Sequence, residues 1–460
     1  MAKAKKKEAL SLEEKLEQAL VPVDEQPYEV PENWCWVKVG SVCVFENGYA
    51  FKADKFSEEG SIPVIRISNI KQNEVDVDSC VFTTETDVDS RFIAKYGDLL
   101  IAMSGATTGK NGVFLSNVPA YVNQRVGNIK VKNEKTLLPT YRNYYIMAME
   151  EEILRGAYGG AQPNISSNKI CDMNMPLPPL AEQQRIVEQI ERLFVKLDYV
   201  KEKAQTVIEG IDINIEAIFC DAFEGHLTYE WRSKNGITDA WDDTDLSKVV
   251  SGLKYGSSEK SDYENKGTPV LRIPNIGDGI IEFSDLKYLS EEIDNTSHEV
   301  FENDILVIRS NGSRNLVGRC ALVPKLDRKY AYASFLIRLK VSNRVLPQYL
   351  VYFLNSSIAR IQLFSKAKSS SGIHNINSKE LGAIKIKIPS LKEQKQILLV
   401  IDSLIKKEKK AREIAEMSID SVDAMKKSIL AKAFRGELGT NNPDEESAVE
   451  LLKHIIAENL

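Results

Sequence analysis

Cysteine and histidine are scarce in this 460-residue chain. The six cysteines form no Cys-x-x-Cys pair, and none of the four histidines lies near a cysteine at the spacing of a zinc site. Structural zinc sites and disulfide frameworks are recognised by such spacings. We therefore predict neither a structural metal nor a disulfide framework.

Long apolar runs are also absent. No stretch of about 18 apolar residues occurs, and the basic N-terminus Met1–Lys7 leads into the amphipathic segment Glu8–Leu20 rather than into an apolar secretory core. These features predict a cytoplasmic protein with no membrane contact. A chain of this length, with 43% hydrophobic residues, is expected to fold into about three units.

The sequence also lacks the motifs of an enzyme. In the segment Ser104–Asn111 the glycines at 105 and 109 enclose three residues instead of four, and Lys110 is followed by Asn, so the spacing of a phosphate-binding loop fails. The catalytic loop of an adenine methyltransferase needs an acidic or Asn residue, two prolines and an aromatic residue. The nearest match, Leu177–Leu180, has the two prolines but lacks the residues at both ends. No glycine-rich cofactor loop follows a strand either. We predict a chain that is not an enzyme and binds no cofactor.

Charge is unevenly distributed along the chain. The formal net charge is −6, which by itself argues against a nucleic-acid partner. However, Glu302–Arg344 contains nine Lys or Arg against three acids, and Lys95–Lys132 contains five against one. Basic stretches of this kind are either solvated surface or the footprint of a phosphate-binding face.

An internal repeat determines the organisation of the chain. The segment Pro63–Ile70 (PVIRISNI) returns 206 residues later as Pro269–Ile276 (PVLRIPNI). Further along, Ala222–Leu227 (AFEGHL) returns 211 residues later as Ala433–Leu438 (AFRGEL). A period this long indicates a duplicated domain with its linker, and excludes a solenoid of short repeats.

Each copy contains two kinds of segment. The first part, Trp34–Pro178 and Trp241–Pro389, has short apolar runs broken by turn-forming residues, which predicts strands and loops with one helix near Thr140–Leu154 and another near Pro347–Leu363. The fold class is therefore α+β. The second part has the spacing of a long helix.

A heptad pattern marks that helix. Over Ala181–Ala222, about 63 Å of helix, apolar residues alternate four and three apart, as in a coiled-coil seam. The pattern recurs 211 residues later with Glu408 and Ser418 as weak points, and Ser390 with Glu393 suggests a capping box. Gly225 and Gly436 lie where left-handed C-terminal caps are expected. Two helices that pack separately on their own domains are the alternative. The residues of the first seam are Ile186, Ile190, Leu193, Leu197, Val200, Ala204, Val207 and Ile211.

In its doubled motifs the chain resembles the specificity subunits of type I restriction–modification enzymes. The helices begin at Pro178–Gln183 and Pro389–Gln394 (P-x-L-x-E-Q-like) and the second ends at Ile429–Leu438, while Glu230–Arg232 follows the first. The resemblance covers the whole chain and implies duplicated mixed α/β target-recognition domains separated by two long antiparallel coiled-coil helices. The expected divisions are an N-terminal helical extension (1–30), a first recognition domain (31–179), a central helix (180–227), a second recognition domain (228–389), a C-terminal helix (390–438) and a tail (439–460).

The resemblance also implies partners. Each recognition domain would read one half of a bipartite target in double-stranded DNA, with the helices as a ruler between the halves. Two modification (methyltransferase) subunits would dock on the chain and bind S-adenosylmethionine, and restriction (translocase and endonuclease) subunits would bind ATP and Mg. A duplicated coiled-coil adaptor without a DNA-reading role is the alternative.

Loops that differ between the copies are the candidate DNA contacts, because two unlike half-sites require unlike side chains on a common frame. The loop after Met103 ends in Lys110, whereas its counterpart, Arg309–Arg314, offers arginines that suit guanine and an asparagine that suits adenine. The later segments Gly159–Asn164 and Lys366–Gly372 match in position and are predicted to be second contact loops. For any single residue, a purely structural turn is the other interpretation. The candidates are Ser104, Gly105, Thr107, Thr108, Lys110, Gln124, Arg125, Gly160, Gln162, Arg309, Asn311, Ser313, Arg314, Lys366, Lys368 and Ser370.

Overall fold

The computed structural model describes residues 11–60, 62–85, 88–158, 163–264, 266–293, 298–366, 368–370 and 373–458. The chain divides into two compact units. The first unit comprises residues 1–202 and 418–460, and the second comprises residues 203–417. The two long helices each contribute residues to both units.

Helices in the described chain range from one turn to more than eleven turns. Their bounds are α1 (Leu12–Ala19), α2 (Val39–Val42), α3 (Pro139–Ala148), α4 (Glu150–Ala157), α5 (Ser167–Cys171), α6 (Leu180–Glu224), α7 (Tyr229–Lys234), α8 (Pro347–Asn355), α9 (Ser357–Lys366), α10 (Ser378–Gly382), α11 (Leu391–Phe434) and α12 (Ala448–Glu458).

The first unit contains two five-stranded mixed sheets and a two-stranded sheet. The sheet orders are β2-β11-β8-β9-β5, β3-β6-β4-β10-β7 and β1-β12. The parallel pairs are β4 with β10 and β5 with β9, and the other pairs are antiparallel. The strands are β1 (Cys35–Lys38), β2 (Cys43–Asn47), β3 (Phe56–Ser57), β4 (Pro63–Ile65), β5 (Asn73–Glu74), β6 (Val81–Thr83), β7 (Ile93–Ala94), β8 (Leu99–Ala102), β9 (Asn111–Val113), β10 (Ala120–Val122), β11 (Val126–Val131) and β12 (Asn174–Leu177).

The second unit repeats this arrangement. Its sheet β14-β22-β18-β20-β16 matches β2-β11-β8-β9-β5, its sheet β17-β15-β21 matches the middle of the other large sheet, and β13-β25 matches β1-β12. The predicted duplication and the α+β class are confirmed. The strands are β13 (Asp242–Asp245), β14 (Val250–Tyr255), β15 (Pro269–Leu271), β16 (Gly279–Ile280), β17 (Lys287–Tyr288), β18 (Ile305–Ile308), β19 (Ser310–Asn311), β20 (Cys320–Leu322), β21 (Ala331–Tyr332), β22 (Leu336–Val341), β23 (Lys368–Ser370), β24 (Ile373–Asn375) and β25 (Lys385–Ile388).

The long helices α6 and α11 have 45 and 44 residues, or about 66–68 Å each. Both are followed by a glycine in the left-handed region, Gly225 at φ +88° and Gly436 at φ +74°, as expected of helix C-terminal caps. Within each unit their segments run antiparallel: Lys201 pairs with Asp423 (2.9 Å) in the first unit, and Arg412 pairs with Asp212 (2.6 Å) in the second.

The seam predicted on α6 is only partly buried. Ile186 and Ile190 are fully buried, and Ile211 is 2% exposed, whereas Val200 and Val207 are 45% and 47% exposed. A straight α-helix has 3.6 residues per turn, so a strict heptad pattern drifts about 20° per heptad around it. The prediction of a continuous seam is therefore wrong at these two valines.

A phenylalanine near the end of each long helix joins that helix to the sheet domain of one unit. In the first unit, Phe434 meets Tyr141 and Tyr145 edge-on, with ring centroids 5.3 and 5.1 Å apart. In the second unit, Phe223 meets Tyr349 and Phe353 in the same way, both at 5.3 Å. Such edge-to-face contacts add to the large apolar area that each ring buries.

The Glu-Gln pair at the start of each long helix binds other parts of its unit. The side chain of Gln183 accepts from Leu138 N and donates to Thr136 O, both at 2.8 Å. Gln394 accepts from Leu346 N (2.8 Å) and donates to Arg344 O (3.1 Å). These bonds fix the main chain just before α3 and α8.

The glutamate of the second pair, Glu393, changes the predicted helix cap. Its main-chain N–H donates to Ser390 Oγ (3.3 Å), which is half of a capping box. Its carboxylate instead accepts from Thr228 Oγ1 (2.7 Å) and from Trp241 Nε1 (3.1 Å). The reciprocal half of the predicted box is therefore replaced by contacts with residues distant in sequence.

Candidate nucleic-acid interface

In the first unit, the predicted loop after β8 lies beside Pro163 and Asn164, which end the second predicted loop. Gly105 N donates to Pro163 O (3.2 Å), and Ser104 and Asn164 form an isolated antiparallel bridge. Gly105 and Gly109 have φ of +82° and +86°, a region that favours glycine, so the tight path of this loop depends on both. The candidates Gly160 and Gln162 lie outside the described residues.

A third predicted segment adjoins this loop. Met103 N donates to Arg125 O (2.9 Å), which places the turn containing Gln124 and Arg125 next to the residues that begin the loop. Both side chains of this turn are exposed. The structure therefore brings three segments that are separated in sequence next to one another.

The side chains of the loop differ in accessibility. Thr108 is 4% exposed, and its hydroxyl group donates to Gly105 O (2.7 Å) and lies 3.1 Å from Pro163 O. The hydroxyl oxygens of Ser104 and Thr107 are buried as well, while Lys110 is half-buried. Thr108 thus holds the loop in shape, and the groups open to a large ligand are those of Gln124, Arg125 and, in part, Lys110.

In the second unit, the two predicted loops are joined by strand pairing. Ser310 and Asn311 of β19 pair with Asn375 and His374 of β24, and β24 also pairs with β23. The small sheet β19-β24-β23 has no counterpart of this extent among the described residues of the first unit, where one bridge occupies its place. For Lys366, Lys368 and Ser370 only the course of the main chain is described.

Arg309 lies on an aromatic ring at the base of this sheet. Its guanidinium carbon is 4.5 Å from the ring centroid of Tyr255, and its main-chain N–H donates to Phe335 O (2.9 Å). Burial raises the pKa of the Tyr255 hydroxyl, but hydrogen bonds with Ser378 and the positive charge of Arg309 outweigh burial and leave this pKa below 10.0. Sequence patterns did not indicate Tyr255, because its partners lie 54 and 123 residues away.

The tip of the Arg309–Arg314 loop is more open. Asn311 Oδ1 accepts from Ser313 N (2.7 Å), so this side chain shapes the turn while remaining half-buried. Ser313 and Arg314 are exposed, and the guanidinium carbon of Arg314 lies 5.0 Å from the ring centroid of Phe364. A cation positioned on an aromatic ring keeps its N–H donors available along the edge of the guanidinium plane.

Part of the basic stretch Glu302–Arg344 does not contribute to this surface. Arg338 is 8% exposed and lies 3.7 Å from Asp304, and Arg344 forms an ion pair with Asp242. Buried cations are paired because an unpaired buried charge is costly. The footprint that summed charge predicts is therefore smaller than nine cations.

Two further observations concern the helices and the metal-ligating side chains. No helix in the described parts of the chain is both long and apolar enough to cross a membrane. In the same parts of the chain, no three His, Cys, Asp or Glu side chains are grouped so as to hold a metal ion.

The family model of the type I restriction modification DNA specificity domain matches this chain twice, at residues 31–209 and 241–416. The chain therefore belongs to the family of type I restriction–modification specificity subunits and carries two copies of the recognition domain. The two copies correspond to the repeat that the sequence and the sheet topology show.

Known relatives extend over nearly the full length. The chain is 27% identical to the EcoKI specificity subunit of Escherichia coli K12 and 25% identical to the StySPI specificity subunit of Salmonella potsdam, in each case over 94% of this chain and 96% of the relative. A solved chain from work on complex assembly and conformational transition of the type I R-M system has a TM-score of 0.67, at 19% identity. It covers 90% of this chain and 100% of its own length. The HsdS subunit from Thermoanaerobacter tengcongensis gives 0.55 at 18% identity with the same coverage.

Proposed function

We propose that this chain reads a bipartite target in double-stranded DNA without itself catalysing a reaction. Each unit would read one half-site through the surface formed by its predicted loops. In the first unit this surface contains Gln124, Arg125 and Lys110, and in the second it contains Arg309 and Arg314. The cytoplasm, where chromosomal DNA lies, is the compartment that this function requires in a bacterium.

The observation that carries the proposal is the pairing of loops in both units on a common frame. The loop after β8 and the loop after β18 begin with the same main-chain hydrogen bond, from Met103 N to Arg125 O and from Arg309 N to Phe335 O, both 2.9 Å. The side chains that follow are different. A common frame with different exposed side chains is what two half-sites of unlike base sequence require.

Catalysis would come from partner subunits. We propose that two modification subunits dock on the chain and bind S-adenosylmethionine, and that restriction subunits bind ATP and Mg. Exposed apolar side chains on the long helices support docking. Val195 (69%) and Met425 (53%) are examples in the first unit, and Ile213 (71%) and Leu399 (66%) in the second. Exposed apolar groups that recur along a helix are typical of protein interfaces.

The test is to express the chain together with its modification subunits in a host without DNA methylation and to map methylated sites across the genome. The expected result is one motif with two defined halves and an unread spacer, and no methylation by the chain alone. Arg314→Ala should weaken base preference in one half-site by about 1–3 kcal/mol if this arginine pairs with a base. Methyl transfer by the isolated chain, or equal loss in both half-sites, would contradict the proposal.

A further inference from the structure

The turn between β10 and β11 and the turn between β21 and β22 have corresponding main-chain hydrogen bonds in the two units, and these bonds form the frame of the contact loops. In the first unit, Asn123 N donates to Ile65 O (2.9 Å) and Gln124 N to Tyr49 O (2.8 Å). In the second unit, Ala333 N donates to Leu271 O (2.9 Å) and Ser334 N to Ser257 O (2.8 Å). In each unit the carbonyl group of the next residue accepts a hydrogen bond from the main-chain N–H at the start of a contact loop. Arg125 O accepts from Met103 N, and Phe335 O accepts from Arg309 N.

These corresponding hydrogen bonds give Arg125 and Phe335 the same place in the frame. The two residues are followed by Val126 and Leu336, which are buried and which close the turn through bonds to Asn123 O (2.8 Å) and Ala333 O (2.9 Å). The main chain is thus fixed on both sides of the position, and only the side chain differs. A side chain whose main chain is fixed by hydrogen bonds on both sides is positioned more precisely than one at the tip of a loop.

Phe335 is unusual for its environment. Its side chain is 56% exposed although it adjoins the paired loops of the second unit, and Arg309 next to it is half-buried on Tyr255. The exposed phenylalanine side chain contributes nothing to the core, and the main-chain carbonyl group of Phe335, not its side chain, accepts the hydrogen bond from Arg309 N. Another residue with the same main chain would serve the frame equally well.

We propose that Phe335 is a specificity-determining residue that makes apolar contact with the C5-methyl group of a thymine in the second half-site. This inference rests on the proposed function. The thymine methyl is the apolar group that a base pair presents in the major groove, and phenylalanine suits it. Arg125 in the same place of the first unit offers donors for guanine acceptors, so the two half-sites differ in base preference at equivalent positions.

The test uses the complex of the full chain with its modification subunits and the methylation motif of the wild-type complex. Phe335→Ala is expected to lower the preference at one position of one half-site roughly fourfold to fifteenfold, the effect of burying one or two methyl groups. In synthetic duplexes, deoxyuridine in place of thymidine at that position removes only the methyl group. This replacement should weaken binding of the wild-type complex and leave binding of the variant unchanged.

Ile280→Ala is the matched control. Ile280 is 62% exposed and belongs to the same unit, but its partner in the sheet, Leu322, pairs with Ile305, at the opposite end of β18 from Arg309. This variant should keep the motif. An unchanged motif and unchanged sensitivity to deoxyuridine in Phe335→Ala would overturn the inference alone, whereas a wild-type complex with no bipartite motif would overturn the proposed function and the inference with it.

Discussion

Replacing Glu182 by alanine is expected to destabilise the first unit by about 3 kcal/mol. Glu182 is fully buried at the start of α6. Its carboxylate accepts from Trp34 Nε1 and Asn441 Nδ2, both at 2.8 Å, and from Thr440 Oγ1 at 3.3 Å. The side chain thus connects the beginning of the sheet domain, the beginning of one long helix and the segment after the other.

The magnitude follows from what each donor loses. The indole N–H of Trp34 belongs to a residue only 4% exposed and has no route to water, so leaving it unpaired costs about 1–3 kcal/mol. Asn441 and Thr440 are half-buried and regain water, so each loses about 0.5–1.5 kcal/mol. Removal of a buried carboxylate recovers part of its desolvation cost, which keeps the sum near 3 kcal/mol.

The assay is urea unfolding of the full chain, followed by tryptophan fluorescence and by hydrogen exchange of α1 and α12, which belong to the same unit. Glu188→Ala is the control, because Glu188 is exposed on the same helix and should change stability by less than about 0.5 kcal/mol. Equal stability of Glu182→Ala and wild type, or loss of protection only in the second unit, would refute the reasoning.

Two further predictions concern the first unit and its repeat. Phe434→Ala and Phe223→Ala should each lower the free energy of unfolding by about 3–5 kcal/mol, because both rings are buried and their removal leaves a cavity. Hydrogen exchange should rise in α3 for Phe434→Ala and in α8 for Phe223→Ala. The same exchange pattern in both variants would contradict separate anchoring. Glu445→Gln should cost up to about 1 kcal/mol at pH 7, because Arg185 binds the carboxylate at 2.7 and 2.9 Å. The hydrogen bond with Arg185 holds the pKa of Glu445 below its ordinary 4.5, so this stabilisation is full above that value and disappears as the pH falls through the lower folded pKa. Urea unfolding should therefore show a smaller difference in stability between wild type and variant at pH 3 than at pH 7. A constant difference would contradict the ion pair.

The duplication and the ends of the long helices were predictable from sequence alone. Repeated motifs at a constant offset report a repeated fold, and a glycine after a periodic segment reports a left-handed cap. The glycine signal is local in sequence, and the repeat is found by comparing two segments directly. Gly225 and Gly436, and the matching sheet orders of the two units, confirm these predictions.

Contacts between distant segments were not predictable. The capping-box pattern at Ser390 gave no sign that the Glu393 carboxylate binds Thr228 and Trp241, because that pairing depends on how the chain returns. Summed charge over Glu302–Arg344 likewise treated Arg338 as surface, although it is buried near Asp304. Burial is a property of the fold, and a count along the sequence does not contain it.

The heptad interpretation of α6 shows how a correct pattern leads to a wrong surface. The spacing of four and three residues holds over the whole segment. In a helix with 3.6 residues per turn, however, heptad positions drift around the helix, and only those that stay on the buried face, such as Ile186 and Ile211, are buried. Val200 and Val207 are turned toward solvent instead. Under the proposed function, the apolar residues left exposed by this drift would be available to a partner subunit.

Under the proposed function, the separation of frame from contact explains how one fold would serve two unlike half-sites. Arg125 and Phe335 hold equivalent places, and the bonds that position them run between main-chain atoms. Main-chain donors and acceptors are present in every residue except proline, which lacks the N–H, so the frame tolerates a change from a charged to an aromatic side chain without losing a hydrogen bond. Under the proposed function, selection for a new target would act on such positions, while the stability of the unit, which depends on buried groups such as Glu393 and Phe223, would stay almost constant.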